Sequence, residues 1–172
     1  FISEDLILSG HDRSDGGLIT TLLEMAFGGN CGIEINIENE KVRRNEIINL
    51  LFSEELGVVI EYIPENENVI TSILKNNEIP YQIIGNTILE KRIDIRINGH
   101  CVLKEDMKTL RTLWEETSYQ LDRIQANPDC VDEERRGNFD RKGPHYVLTF
   151  IPQKTSQTLS ERDVKPKVAI IR

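Results

Sequence analysis

This sequence predicts an α/β fold, a mixed sheet with helices packed on it, and three observations carry that expectation. Ile33, Ile35 and Ile37 alternate with Glu34, Asn36 and Glu38, and Ile93, Ile95 and Ile97 alternate with Asp94, Arg96 and Asn98. That two-residue period is the signature of half-buried strands. Leu18, Ile19, Leu22, Leu23, Met25 and Ala26 recur instead at helical spacing, as do Met107, Leu110, Leu113, Trp114, Thr117, Leu121 and Ile124. Asn98-Gly99 between two apolar runs is a strong short hairpin signal, with His100-Cys101-Val102-Leu103 as its return strand.

Taken in chain order, Leu6-Ile7-Leu8 is a short apolar entry to the polar loop His11–Gly17. A helix is expected to start there and to stop at Gly28-Gly29 through a left-handed residue. The first alternating strand follows, then a helix over 41–52 carrying Val42, Ile47, Ile48, Leu51 and Phe52. Val58 to Ile63 is apolar enough for a central strand, ended by Pro64. Val69, Ile70, Ile73 and Leu74 mark a short helix, and Tyr81 to Gly85 a strand. The hairpin comes next, then one long amphipathic helix closed by Asn127-Pro128. Residues 129–145 are charged and poorly periodic, and Tyr146–Ile151 is a short apolar run. Pro152, Lys154, Ser156, Ser160 and Pro166 then fit a linker. One domain of about 125 residues with a trailing connector is the economical organisation.

Composition narrows the function classes. Twenty-nine acidic against 21 basic residues give a formal charge of −8, which argues against a broad nucleic-acid surface. No run approaches about 18 uninterrupted apolar residues, so no membrane-spanning helix is expected. Cys31, Cys101 and Cys130 are odd in number and lack metal-binding spacing, as expected of reduced thiols in a cytoplasmic protein. The chain opens on Phe1 and closes in the apolar run Val168-Ala169-Ile170-Ile171-Arg172, which suggests a piece of a longer polypeptide.

The chemically loaded segment is His11-Asp12-Arg13-Ser14-Asp15-Gly16-Gly17. Adjacent glycines at a helix start let the backbone approach a ligand, and the free amides and dipole of the helix favour an anion. Ser14 could donate to a phosphate oxygen. Asp12 and Asp15 would repel a bare phosphate, so a cation between them and it is called for, and magnesium suits that role. A Mg-nucleotide site is one reading. An ordinary helix N-cap, with Ser14 capping and acidic residues in the first turn, is the other.

Four segments together resemble the phosphoribosylformylglycinamidine synthase family in its large, single-chain form. They are His11–Leu18 with Leu23–Phe27 and Gly29–Gly32, then Leu51–Gly57, then Leu110–Ser118, and finally Pro166–Ile170. They fall in family order and span nearly the whole chain. The resemblance implies that residues 1–126 are the second C-type (AIR synthase-related C-terminal) domain of a synthetase core. Residues 127–166 would be the connector and 167–172 the first strand of a glutaminase. The implied enzyme uses ATP to activate the formamide oxygen of formylglycinamide ribonucleotide. Ammonia from glutamine then displaces that oxygen to give the amidine, a step of purine synthesis.

It further implies that Asp12 is a magnesium ligand and that Ser14, with Gly16 and Gly17, contacts ATP or ADP. The remaining ligands would come from a preceding N-type domain. Partner domains of the same chain, small-molecule substrates, and no nucleic acid or membrane follow from it. Two pseudo-equivalent nucleotide sites exist in such an enzyme, one catalytic and one structural; Asp12 and Ser14 are read toward the structural one, with the catalytic one as the alternative. No catalytic residue is expected within these 172 positions.

Glu54-Glu55 reads either as an acidic pair near a substrate amine or metal, or as the end of a helix before a buried strand. His11 reads as an orienting residue, since no sequence-local partner tunes it as an acid or base. His100 and His145 lack coordinating neighbours. Trp114 reads as core or interface packing. Glu116 is expected to face solvent or a neighbouring domain, on a helix that would help position two active domains for ammonia transfer. Alternatives to the synthase are a related ATP-binding synthetase, a non-catalytic interaction paralogue, and a plain interaction domain.

Overall fold

The computed structural model describes residues 1–139 and 146–156, with Thr158 and Glu161 beside them. The chain divides into two compact units, Phe1–Phe139 and Asp140–Arg172. In the first, β1 (Ser9–Asp12) leads into α1 (Gly17–Gly29) and β2 (Gly32–Ile37). Then come α2 (Ile47–Phe52), β3 (Val58–Glu61), α3 (Glu67–Asn76), β4 (Gly85–Ile88), β5 (Arg92–Ile97) and β6 (His100–Asp106). Three helices close the unit, α4 (Met107–Trp114), α5 (Glu116–Gln125) and α6 (Pro128–Phe139).

The mixed sheet is present. Its order is β4-β2-β5-β6, with β2 parallel to β5 and antiparallel to β4, and β5 antiparallel to β6. Both alternating isoleucine sets lie on one face, where Ile33, Ile35, Ile37, Ile93, Ile95 and Ile97 meet Ile19, Leu22, Ala26 and Phe27 of α1 and Met107 of α4. Burying these side chains is the main favourable term of the unit. The opposite face is polar. There Asp94, only 4% exposed, is gripped by Arg96 through two bonds of 3.0 and 3.2 Å and by Arg92 at 3.0 Å; Arg92 also bonds Glu34 across the strands. The hairpin turns on Asn98 and Gly99, both with positive φ, as its sequence demands.

Several elements depart from the sequence expectation, each for a local reason. Val58–Glu61 is no central strand: among the described residues it pairs with β1 alone, in a separate two-stranded antiparallel ribbon, and Val58 is 70% exposed. Gly28 and Gly29 lie inside or at the end of α1, and the left-handed stop is Asn30, with φ 48°. The expected helix over 41–52 starts late, because Glu46 takes the Arg43 amide at 2.9 Å and returns its own amide to the Arg43 carbonyl at 2.8 Å. That closes a 3₁₀ turn over Arg44–Glu46 ahead of α2. The strand foreseen over 81–85 begins only at Gly85, and the bond from the Asn36 amide to the Ile84 carbonyl (2.7 Å) lies just before that ladder. The single long helix is two, broken at Glu115, where ψ opens to −10°.

The connector placed at 127–166 begins too early. Residues 128–139 form α6, which lies on α5 within the first unit. Its charged residues hide a helix because polar groups dock it: Tyr119 Oη donates to Asp132 Oδ1 at 2.6 Å, Arg135 pairs with Glu116 at 2.5 Å, and the Arg135 guanidinium lies 3.9 Å from the Tyr119 ring centre. In the second unit, Tyr146–Ile151 forms neither helix nor strand and its apolar side chains are exposed. His145 and residues 167–172 lie outside the described residues.

Candidate functional site

The loop at the end of β1 is built from both sides. Strand β1 carries His11 and Asp12 to its edge, and Ser14 to Gly17 forms a turn closed by the Gly17 amide donating to the Ser14 carbonyl at 2.9 Å. Gly16 (φ 78°) and Gly17 (φ 72°) both sit where side chains are strained. Space adds to the requirement: a Cβ on Gly17 would fall 2.5 Å from the Phe52 carbonyl carbon, and one on Gly16 would fall 2.3 Å from Thr20 Oγ1. The glycine pair therefore brings the loop against α2 and the first turn of α1.

Gly16 is the N-cap of α1, and no side chain caps it, so the capping role open to Ser14 in sequence is not used. Ser14 and Asp15 are exposed, and the Asp12 side chain is 76% exposed. The Asp12 carbonyl is held by Thr21 Oγ1 at 3.2 Å and faces His11 Nδ1 at 2.7 Å, while its carboxylate points outward.

The acidic pair after α2 meets this loop. Glu54 Oε1 accepts from the Gly16 amide at 3.1 Å, so a carboxylate already sits where the helix terminus favours an anion. Glu55 faces Arg13 at 3.6 Å. Arg13 itself, largely buried, donates from Nε to the Ser53 carbonyl (2.9 Å) and from Nη2 to the Leu50 carbonyl (3.1 Å). An arginine at the end of α2 satisfies carbonyls that the helix leaves open. Sequence reasoning passed over Arg13, although its charge opposite Glu54-Glu55 was a signal; the 42-residue separation between Arg13 and Glu55 hid the pairing.

His11 has a partner that no spacing revealed. Its Nε2 stands 3.1 Å from Glu24 Oε2, and Glu24 Oε1 accepts from Trp114 Nε1 at 3.1 Å. Trp114 is not core: its indole is about half exposed, tilted against Phe27 at 5.8 Å. Glu116 is partly exposed, as expected, but it is also tied to its neighbours. The Arg135 and Gln120 side chains that bond it hold its carboxyl below the usual glutamate range. His100 and Cys101 lie on β6 and Cys130 on α6, all three exposed. Cys31 is half-buried, and burial, then the Glu61 charge, push its thiol pKa up, the opposite of what a nucleophile needs.

Among the described residues, no group of three or more His, Cys, Asp or Glu is arranged to hold a metal ion. A closed chelating cage is thus not offered. A single outward carboxylate beside an exposed hydroxyl fits a cation that draws its other ligands from phosphate and water, as magnesium does. Among the described residues no helix is long and apolar enough to cross a membrane.

Comparison with known proteins gives this geometry a family. The chain is 40% identical over 171 residues to a probable phosphoribosylformylglycinamidine synthase, chloroplastic/mitochondrial, of Arabidopsis thaliana, covering 99% of the chain and 12% of that protein. It is 41% identical over 181 residues to the Homo sapiens phosphoribosylformylglycinamidine synthase, covering 99% and 13%. The chain thus spans only about an eighth of the length of these curated relatives. Among solved structures, Thermotoga maritima PurL complexed with ATP superposes with a TM-score of 0.56 at 16% identity, covering 63% of this chain and 19% of that one. The same protein complexed with FGAR gives 0.54 at 18%, covering 63% and 19%; these likenesses establish the α/β fold. The family model described as AIR synthase related protein, C-terminal domain, matches residues 1–98. Because that match covers more than half of the 172 residues, the chain belongs to this family.

Proposed function

We propose that this chain is a segment of a phosphoribosylformylglycinamidine synthase, an ATP-dependent glutamine amidotransferase and C–N bond-forming ligase of purine biosynthesis. The observation that carries this reading is 40–41% identity over 99% of the chain to synthases from a plant, an amoeba and a human. In this reading residues 1–126 supply one wall of a Mg-nucleotide site, and the segment is inactive alone. Asp12 is the magnesium-facing carboxylate and Ser14 donates to the nucleotide; their exposed side chains support those roles. Gly16 and Gly17 act through shape, since their positive φ lets the chain turn sharply between Asp12 and α1.

Bound magnesium and ATP or ADP would supply charge neutralisation and phosphoryl chemistry. The work of this chain is to hold one carboxylate and one hydroxyl in place on a loop braced by Arg13 and Glu54. The rest of the site comes from the N-type synthetase domain, and the trailing residues lead toward the glutaminase domain. A cytoplasmic setting belongs to the same proposal, supported by cysteines that are all free among the described residues.

The test uses the longer polypeptide containing this chain, assayed for glutamine- and ATP-dependent amidine formation and for Mg-ADP retained through gel filtration. Asp12→Asn is expected to abolish retention and Ser14→Ala to weaken it about tenfold, the loss of one charge-assisted hydrogen bond. Unchanged Mg-ADP retention in Asp12→Asn overturns the site assignment, and absence of amidine formation in the unaltered polypeptide overturns the activity.

A further inference from the structure

Three side chains far apart in sequence form a continuous polar line behind the loop. His11 on β1, Glu24 on α1 and Trp114 at the end of α4 are joined through the two oxygens of one carboxylate. The His11 and Glu24 side chains are mostly sheltered, at 32% and 28% exposed. The other ring nitrogen of His11 lies 2.7 Å from the Asp12 carbonyl oxygen and 3.5 Å from Asp12 Oδ1. A carboxylate bonded to groups on two different elements is fixed in its rotamer; the Asp12 carbonyl and the Glu24 carboxylate both accept, so the His11 ring is held at both nitrogens when each carries a proton.

We propose that Glu24 is a positioning residue for the nucleotide loop and that Trp114 is its brace. Glu24 sets the His11 ring. The ring, together with Thr21, holds the Asp12 carbonyl and so decides where the Asp12 carboxylate stands. The inference rests on the reading of Asp12 as the magnesium-facing group. An exposed carboxylate on an unbraced loop would have to be ordered at the moment of binding, which costs affinity; a loop ordered beforehand avoids that cost. A second consequence concerns the fold. Helix α4, which leads into α5 and α6, is tied to the loop by hydrogen bonds as well as by its contact with Phe27, so a shift of α4 is felt at Asp12.

The chain contains one tryptophan, so its indole N–H gives one reporter resonance. In the ¹⁵N-labelled chain, Asp12→Asn is expected to move that resonance, and the response should vanish in a Glu24→Ala background. Glu24→Gln, whose amide has one accepting oxygen for two donors, should transmit a reduced response. A merely structural Glu24 would lower the melting temperature in Glu24→Ala and leave the response to Asp12→Asn intact; that result overturns the proposal. In the longer polypeptide, Glu24→Ala and Trp114→Phe are each expected to weaken Mg-ADP retention about fivefold. Trp114→Phe keeps an aromatic ring against Phe27 and so separates bracing from folding. Retention lost in Asp12→Asn but intact in Glu24→Ala overturns the positioning role. Retention intact in both overturns the reading of Asp12 on which that role rests.

Discussion

Gly17 carries more of the loop's shape than any charged neighbour. Its φ of 72° and the 2.5 Å approach that a Cβ would make to the Phe52 carbonyl carbon act together. Gly17→Ala is therefore expected to destabilise the fold by about 3 kcal/mol, read from urea unfolding, as strain and a backbone clash add. Asp94 is the opposite case, a residue held by charge. The side-chain bonds from Arg96 keep its carboxyl below the usual aspartate range against the opposing effect of burial. A carboxylate depressed in the folded state stabilises fully above its unfolded value of about 3.9, and that contribution is lost as pH falls through the lower folded pKa. Asp94→Asn is expected to cost about 1–2 kcal/mol at neutral pH, since its arginine partners are half exposed, and to flatten the acid limb of the stability profile. The sequence displayed Asp94 only as the polar half of an alternation; that its flanking arginines would bury it depends on the pleat and on Glu34 arriving alongside from β2.

At the scale of elements, a helix's own amphipathicity was a weaker guide than the surfaces available to it. The stripe from Met107 to Ile124 suggests one helix on one core, yet only its first part packs inward. Leu113 is 72% and Ile124 82% exposed, and the helix is interrupted at Glu115; α4 packs on α1, whereas α5 packs on α6. Helix α6 shows no apolar period because its docking is polar, with Val131 its one buried residue. Glu116→Ala is expected to speed amide exchange across α6 while that of β2 and β5 stays slow, measured by hydrogen exchange with mass spectrometry. The Arg135 bond holds the Glu116 carboxyl below the usual range, so the clasp should persist below the ordinary glutamate value and release as pH falls through the lower, folded one.

At the scale of the whole molecule, the chain spans about an eighth of its curated relatives, and its first unit leaves Leu56, Leu89, Leu113 and Ile124 open. Under the proposed function this unit holds half of a site. A single carboxylate and a hydroxyl give too few ligands for tight nucleotide binding. Calorimetry of the 172-residue chain with Mg-ADP is expected to show no micromolar binding, and micromolar affinity would contradict the half-site reading.

The sequence by itself determined the mixed sheet, the isoleucine core, the Asn98-Gly99 hairpin and the helix start at the glycine pair. The strands, the hairpin and the helix start are each set by residues within a few positions of one another, through side-chain period or allowed φ, while the pairing of β2 with β5 joins residues far apart in the chain. It also contained the loop Asp12–Gly17 that the proposed site needs. Only the tertiary structure decided what braces that loop. Arg13 reaches carbonyls 37 and 40 residues away, Glu54 closes on the Gly16 amide, and Glu24 joins His11 to Trp114. Such contacts are chosen by how strands and helices pack, and no local period encodes a hydrogen bond between positions that meet only once the core has formed.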